Sequence, residues 1–144
     1  PIPSELGGLT ALAVLDLSIN QLAGPIPSEL GRLVALVGSL SLWANQLTGP
    51  IPSELGRLKA DYLGLSKNQL TGPIPSQLGT LTVLWRLSLS GNQLTGPIPS
   101  ELGRLTVLGR LGLSYNRFVG SIPSELGRLT ALAEFVLYDN QLTG

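Results

Sequence analysis

The stretch Pro73-Ile74-Pro75-Ser76-Gln77-Leu78-Gly79-Thr80-Leu81-Thr82-Val83-Leu84-Trp85-Arg86-Leu87-Ser88-Leu89-Ser90-Gly91-Asn92-Gln93-Leu94-Thr95-Gly96 decides the fold, because the rest of the 144-residue chain is variations on it. Cut at each Pro/Ser-Ile-Pro-Ser, the chain divides into six units: residues 1–24, 25–49, 50–72, 73–96, 97–120 and 121–144. Four hold 24 residues, the second has one more and the third one fewer. Counting from 1 within a unit, the apolar columns are Ile at position 2 and Leu at 6, 9, 12, 15, 17 and 22. Leu at 15 and 17 alternates with variable residues, as in Leu87-Ser88-Leu89. Period-two alternation predicts a short strand with one buried face. Stacked units place these strands side by side in a parallel sheet, which the long return path of each unit allows.

Tandem units of roughly 20–29 residues with Leu at regular offsets are the signature of leucine-rich repeats. The junctions read Gly24-Pro25-Ile26-Pro27, Gly49-Pro50-Ile51-Pro52, Gly72-Pro73-Ile74-Pro75, Gly96-Pro97-Ile98-Pro99 and Gly120-Ser121-Ile122-Pro123. This Gly-x-Ile-Pro mark resembles the plant-type class of that family, over the whole chain. The resemblance implies one α/β solenoid over residues 1–144, right-handed and curved. It carries a parallel sheet on the concave face and a 3₁₀ or irregular convex side. Position 20 is Asn in every unit: Asn20, Asn45, Asn68, Asn92, Asn116 and Asn140. A side-chain amide offers two donors and an acceptor, enough to satisfy backbone at a bend. By the resemblance these six form a stacked structural ladder.

Composition excludes much chemistry. Lys and Arg number nine, Asp and Glu nine, so bulk charge attracts neither nucleic acid nor a membrane surface. There is no Cys and no His. That removes the thiolate nucleophile, the usual general base near neutral pH and the commonest metal ligands. Asp16 and Asp139 belong to opposite ends of the stack, about 20 Å or more apart by strand spacing. Two-carboxylate hydrolysis needs about 5–10 Å. The reading is therefore no enzyme, no cofactor and no metal. Neither a signal peptide nor a transmembrane span is legible. Both ends fall inside the repeat pattern without a capping segment, so the chain reads as part of a longer protein. No Asn is followed by x-Ser/Thr, the glycosylation acceptor.

Local chemistry yields further expectations. Pro at positions 1 and 3 fixes extended backbone. Ser-Glu-Leu-Gly suits one 3₁₀ turn with Ser as N-cap and Gly as its stop. Glu29/Arg32, Glu54/Arg57, Glu101/Arg104 and Glu125/Arg128 are spaced to pair on the convex side, worth a few tenths of a kcal/mol. Phe118 and Phe135 fill Leu columns and should be core. The second unit has three residues between Leu36 and Leu40, which predicts a bulge at Gly38. The third, Leu58-Lys59-Ala60-Asp61-Tyr62-Leu63, is a residue short, with Ala60 in a Leu column. Its junction should be the weakest in the stack.

Positions 14, 16, 18 and 19 line the concave face, about 24 Å across for six strands. In position 14, Tyr62, Arg86, Arg110 and Glu134 follow one another in successive units. The like-charged pair Arg86 and Arg110 is costly unless an acid or anion answers it, and Glu134 could answer Arg110. Trp43, Tyr115 and Tyr138 join them, and Trp85 lies on the sheet margin. Gly64, Ser88, Ser90, Gly112 and Ser114 floor the middle and should leave backbone accessible. Arg with Tyr and Trp is the composition of binding hot spots. The binding residues are thus Trp43, Tyr62, Arg86, Arg110, Tyr115, Glu134 and Tyr138.

The resemblance implies a non-catalytic module that binds a protein or peptide on this sheet, as part of a receptor-like protein in signalling or defence. A receptor-like role implies the cell surface. The missing Cys and glycosylation acceptors also suit intracellular arrays of algal and protist type. Two alternatives carry a different chemistry: a glycosidase inhibitor like those of plant cell walls, and a structural or ice-binding array. The last needs regular Ser or Thr columns. Position 18 is interrupted by Trp43 and Tyr138, and position 23 by Ala23 and Val119. Thermal hysteresis is therefore expected to be absent.

Overall fold

The computed structural model describes residues 1–144. Its strands are β1 (Leu15–Asp16), β2 (Ala23–Pro25), β3 (Ser39–Ser41), β4 (Gln46–Pro50), β5 (Tyr62–Gly64), β6 (Gln69–Gly72), β7 (Arg86–Ser88), β8 (Gln93–Gly96), β9 (Arg110–Gly112), β10 (Arg117–Gly120), β11 (Glu134–Val136) and β12 (Gln141–Leu142). The odd strands form one parallel sheet in the order β1-β3-β5-β7-β9-β11. The even strands form a second parallel sheet, running β2-β4-β6-β8-β10-β12. Each unit opens with a 3₁₀ turn such as Ser76–Thr80. Between these layers lies one continuous core of 32 buried apolar residues, drawn from the Ile and Leu columns. Each such side chain contributes about 1.5–3 kcal/mol when fully buried, so stability grows with every unit stacked.

The second sheet goes beyond the irregular back expected from sequence. Each Gln-Leu-Thr-Gly segment or its equivalent instead pairs with the same segment of the neighbouring unit. Leu47, Leu70 and Leu94 point inward and are fully buried, while Gln and Thr beside them face out.

The Asn ladder forms as expected. Asn92 Nδ2 donates to Leu89 O of its own unit (3.0 Å) and to Leu65 O of the preceding one (3.1 Å). Its Oδ1 accepts from Leu70 N–H at 3.0 Å. Asn45, Asn68, Asn116 and Asn140 repeat this arrangement. Each amide therefore ties two units together, satisfying backbone that the core would otherwise leave unpaired.

Several local expectations are corrected. Ser is the first residue of each 3₁₀ turn, and Pro occupies the N-cap without a side-chain hydrogen bond. The Ser hydroxyl turns instead to its neighbour, as Ser28 Oγ does to Glu29 at 3.4 Å. Gly at position 7 lies inside the turn rather than ending it. A Cβ at Gly31 would sit 2.4 Å from the Glu54 carbonyl oxygen of the next unit, so close stacking requires glycine there. The Glu/Arg convex pairs do not form. The one ion pair in the chain is Arg110–Glu134, because exposed Glu and Arg have little to gain by ordering two long side chains. Phe118 is fully buried, but Phe135 is 39% exposed: it lies on β11, against which no further strand packs.

The extra residue of the second unit is Val37, not Gly38. Gly38 takes its place in the ladder, with its N–H on Ala13 O and its carbonyl receiving Asp61 N–H. Val37 loops outward and is 60% exposed. In the third unit Ala60 fills its column and is buried. The residue after the 3₁₀ turn, Leu58, is extended (ψ 161°), whereas its equivalents Leu33 and Leu81 have ψ of 62° and 59°. The chain takes a shorter path into β5. Thr80 braces this junction, its hydroxyl bonding Gly56 O and Gln77 O at 2.7 Å each.

Candidate functional site

Strand register decides what the concave face presents. Tyr62 opposes Arg86, Arg86 opposes Arg110, and Arg110 opposes Glu134. The four therefore form a row across β5, β7, β9 and β11. Inward-facing Leu63, Leu87 and Leu111 anchor the same strands in the core, so the row is held by rigid backbone.

Each of the three cations on the concave face lies over an aromatic ring from the unit before it. Arg86 stands 5.2 Å from the Tyr62 ring, Arg110 5.2 Å from the Trp85 ring, and Lys67 5.9 Å from the Trp43 ring. Such contacts contribute about 0.5–1 kcal/mol at exposed sites. More usefully, they restrain long side chains that would otherwise sample many rotamers. Trp85 lies flat because the next unit has Gly109 beneath it: a Cβ there would stand 2.6 Å from the indole nitrogen.

The two arginines differ. Arg110 Nε is 3.4 Å from Glu134 Oε2, an ion pair about half exposed and so worth little in stability. Arg86 has no carboxylate partner. Its Nε donates to Ser88 Oγ at 3.1 Å, leaving the end of the guanidinium free. Lys67 is also without an acidic partner. At the far end Tyr115 and Tyr138 meet edge to face, centroids 5.0 Å apart at 82°. The Tyr138 hydroxyl, and after it the Asp139 carboxylate, push the Tyr115 phenol above its ordinary range. Asp16 lies on β1, away from this group. Its carboxylate accepts from the Ser18 hydroxyl and the Ser18 N–H, which hold its pKa below the ordinary range.

All seven residues chosen from sequence line one open depression of about 660 Å³: Trp43, Tyr62, Arg86, Arg110, Tyr115, Glu134 and Tyr138. Lys67 and four serines, Ser66, Ser88, Ser90 and Ser114, line it as well. The lining holds three cations against one carboxylate, in a chain that is neutral overall.

The floor differs from expectation. Gly64 and Ser88 are buried, because the Tyr62 ring folds over Gly64 and Arg86 over Ser88. Side chains, not bare backbone, cover that part of the floor. Lys67 and Trp85 were missing from the residues read as binding. The signal for both was a cation one unit after an aromatic residue. Lys67 and Tyr115 also project from a column in the left-handed region, with Ile19, Ala44 and Asp139 (φ 52–56°) and Gly91. That backbone turn swings position 19 over the sheet.

A family model described as Leucine Rich Repeat matches residues 11–33, 38–58, 61–81, 83–105 and 108–129. Comparison with curated protein sequences gives no match. Among solved structures, the chain is similar to the plant peptide hormone receptor RGFR1 in complex with RGF2. The TM-score is 0.96 at 43% identity, over 100% of this chain and 23% of that one. It is similar to the ectodomain of the membrane receptor kinase GASSHO1/SCHENGEN3 from Arabidopsis thaliana, in complex with CASPARIAN STRIP INTEGRITY FACTOR 2. There the TM-score is 0.94 at 44% identity, over 99% of this chain and 17% of that one. A plant ice-binding protein is also similar, with TM-score 0.81 and 36% identity, over 98% of this chain and 46% of that one. The chain spans less than a quarter of the length of the two receptors.

Proposed function

The chain belongs to the leucine-rich-repeat family, and from that premise we propose that it is a non-catalytic recognition module for an extended peptide or protein segment. The segment lies across β5, β7, β9 and β11 and carries at least one acidic side chain. The observation that carries this reading is the concave depression, where Lys67, Arg86 and Arg110 face a single lining carboxylate, Glu134. Arg86 is the free guanidinium and receives the acid of the ligand. Arg110 is held by Glu134 and fixes the row. Tyr115 and Tyr138 supply rigid aromatic area at the C-terminal end, where an apolar side chain of the ligand packs. RGFR1 is a peptide hormone receptor solved with RGF2, and GASSHO1/SCHENGEN3 is a membrane receptor kinase solved with CASPARIAN STRIP INTEGRITY FACTOR 2, which supports a role as part of a receptor-like protein in signalling.

The test is selection from a displayed library of random twelve-residue peptides against the immobilised chain. The reading expects binders enriched in Asp or Glu next to an apolar residue, with affinity falling as salt rises. Binders without acidic residues, or retained equally by an Arg86→Ala variant, would overturn it.

A further inference from the structure

The departures from the repeat period fall in neighbouring units and on one flank. The second unit pushes Val37 outward, and the third omits the turn that precedes its concave strand. Five units carry two hydrogen bonds in that turn. In the fourth, Thr82 N–H bonds Thr80 O and Leu84 N–H bonds Leu81 O; the first, second, fifth and sixth do the same. In the third unit neither Lys59 N–H nor Ala60 N–H finds a backbone or side-chain acceptor. Lys59 is exposed, but Ala60 is 1% exposed, and a buried backbone donor without a partner is uncommon in a folded chain.

The shortened path leaves a notch of about 550 Å³. Val37 and Val83 form its walls and are 60% and 52% exposed. Arg57, Lys59, Asp61 and Thr82 line the space between them. None of the three charged side chains is in an ion pair. The notch thus combines apolar walls, unanswered cations and unpaired main-chain donors, and no other unit repeats it. Its chemistry is complementary to a carboxylate with an apolar neighbour. Asp61 disfavours a multiply charged free anion and can accept a peptide N–H, so the complement is a peptide chain rather than phosphate.

We propose that this notch is a second binding site, on the flank of the solenoid, for an extended segment of a partner protein bearing an Asp or Glu beside a branched apolar residue. The carboxylate engages Arg57, Lys59 and the Lys59 N–H, and the apolar residue packs on Val37 and Val83. The site is separate from the concave row, so the chain can hold a ligand and a partner together.

The experiment is an amide-shift titration of the ¹⁵N-labelled full chain by nuclear magnetic resonance. The probes are acetyl-Val-Asp-Val-amide, acetyl-Val-Asn-Val-amide and sodium acetate. The expected result is saturable movement of the Lys59 and Ala60 amides with the Asp peptide, and about tenfold weaker response to the Asn peptide, which lacks the charge. A Lys59→Ala variant should reduce the response. Inserting Thr between Leu58 and Lys59, which restores the 24-residue period, should abolish it while leaving concave binding intact. Absence of saturable movement at those amides would overturn the proposal, as would equal binding of the Asn peptide. The same shifts with acetate alone would also overturn it, since they would mark an adventitious anion only.

Discussion

Replacing Asn92 by Ala removes a side chain that bonds three backbone groups at 3.0–3.1 Å, two of them in the preceding unit. Asn92 is 9% exposed, so water cannot readily take its place. Leu70 N–H, Leu65 O and Leu89 O are left unpaired in the interior. Each costs about 1–3 kcal/mol, and partial relaxation brings the sum to about 4 kcal/mol. That is a large share of the roughly 5–15 kcal/mol that holds a domain folded. Asn20 provides the internal control. It bonds only Leu17 O and Ser18 O of its own unit and is exposed. Its removal should cost about 1 kcal/mol, because water replaces the amide. Urea unfolding of both variants, followed by circular dichroism, measures the difference. Asn92→Asp gives a further check: a buried carboxylate facing two carbonyls should cost more at pH 7 than at pH 4, where protonation restores one donor. Equal losses for Asn92→Ala and Asn20→Ala would refute the claim that the ladder bonds units rather than merely shaping each bend.

Ile19 is β-branched, 69% exposed and held at φ 52°. Ile19→Asn should stabilise the chain by about 1 kcal/mol, since Asn tolerates the left-handed region; an unchanged or lower melting temperature would count against this. The short third unit should open most easily. Hydrogen exchange should find the amides of Leu58–Leu65 less protected than those of Leu105–Leu113, and equal protection would show that the Thr80 brace makes good the missing turn. Thermal hysteresis in ice-growth assays should be absent despite the likeness to an ice-binding protein, because the Thr column of the second sheet is broken at Ala23 and Val119. A measurable freezing gap would contradict that reasoning.

The Leu period makes the architecture legible in the sequence, because each column has one way to face the core. The row Tyr62, Arg86, Arg110 and Glu134 was legible for the same reason: in a parallel stack, equal positions become neighbours. What escaped was governed by side-chain direction and local backbone. Lys67 follows Trp43 by one unit, which the sequence shows, but the left-handed backbone at position 19 that brings them together is not visible in it. Gly31 reads as a helix stop, although its role is contact with the next unit. Val37 and Gly38 could not be told apart as the extra residue from length alone. The hydrogen bond from Gly38 N–H to Ala13 O settles it.

The central claim is recognition through the concave row, and calorimetric titration of a library-selected acidic peptide tests it most directly. The comparison is between the natural chain and a variant with Arg86, Arg110, Tyr115 and Tyr138 all changed to Ala, both first shown to have the same circular-dichroism spectrum. The account predicts at least a roughly hundredfold loss of affinity in the variant, the scale of losing hot-spot anchors. Affinity unchanged between the two would contradict it and place recognition away from this sheet.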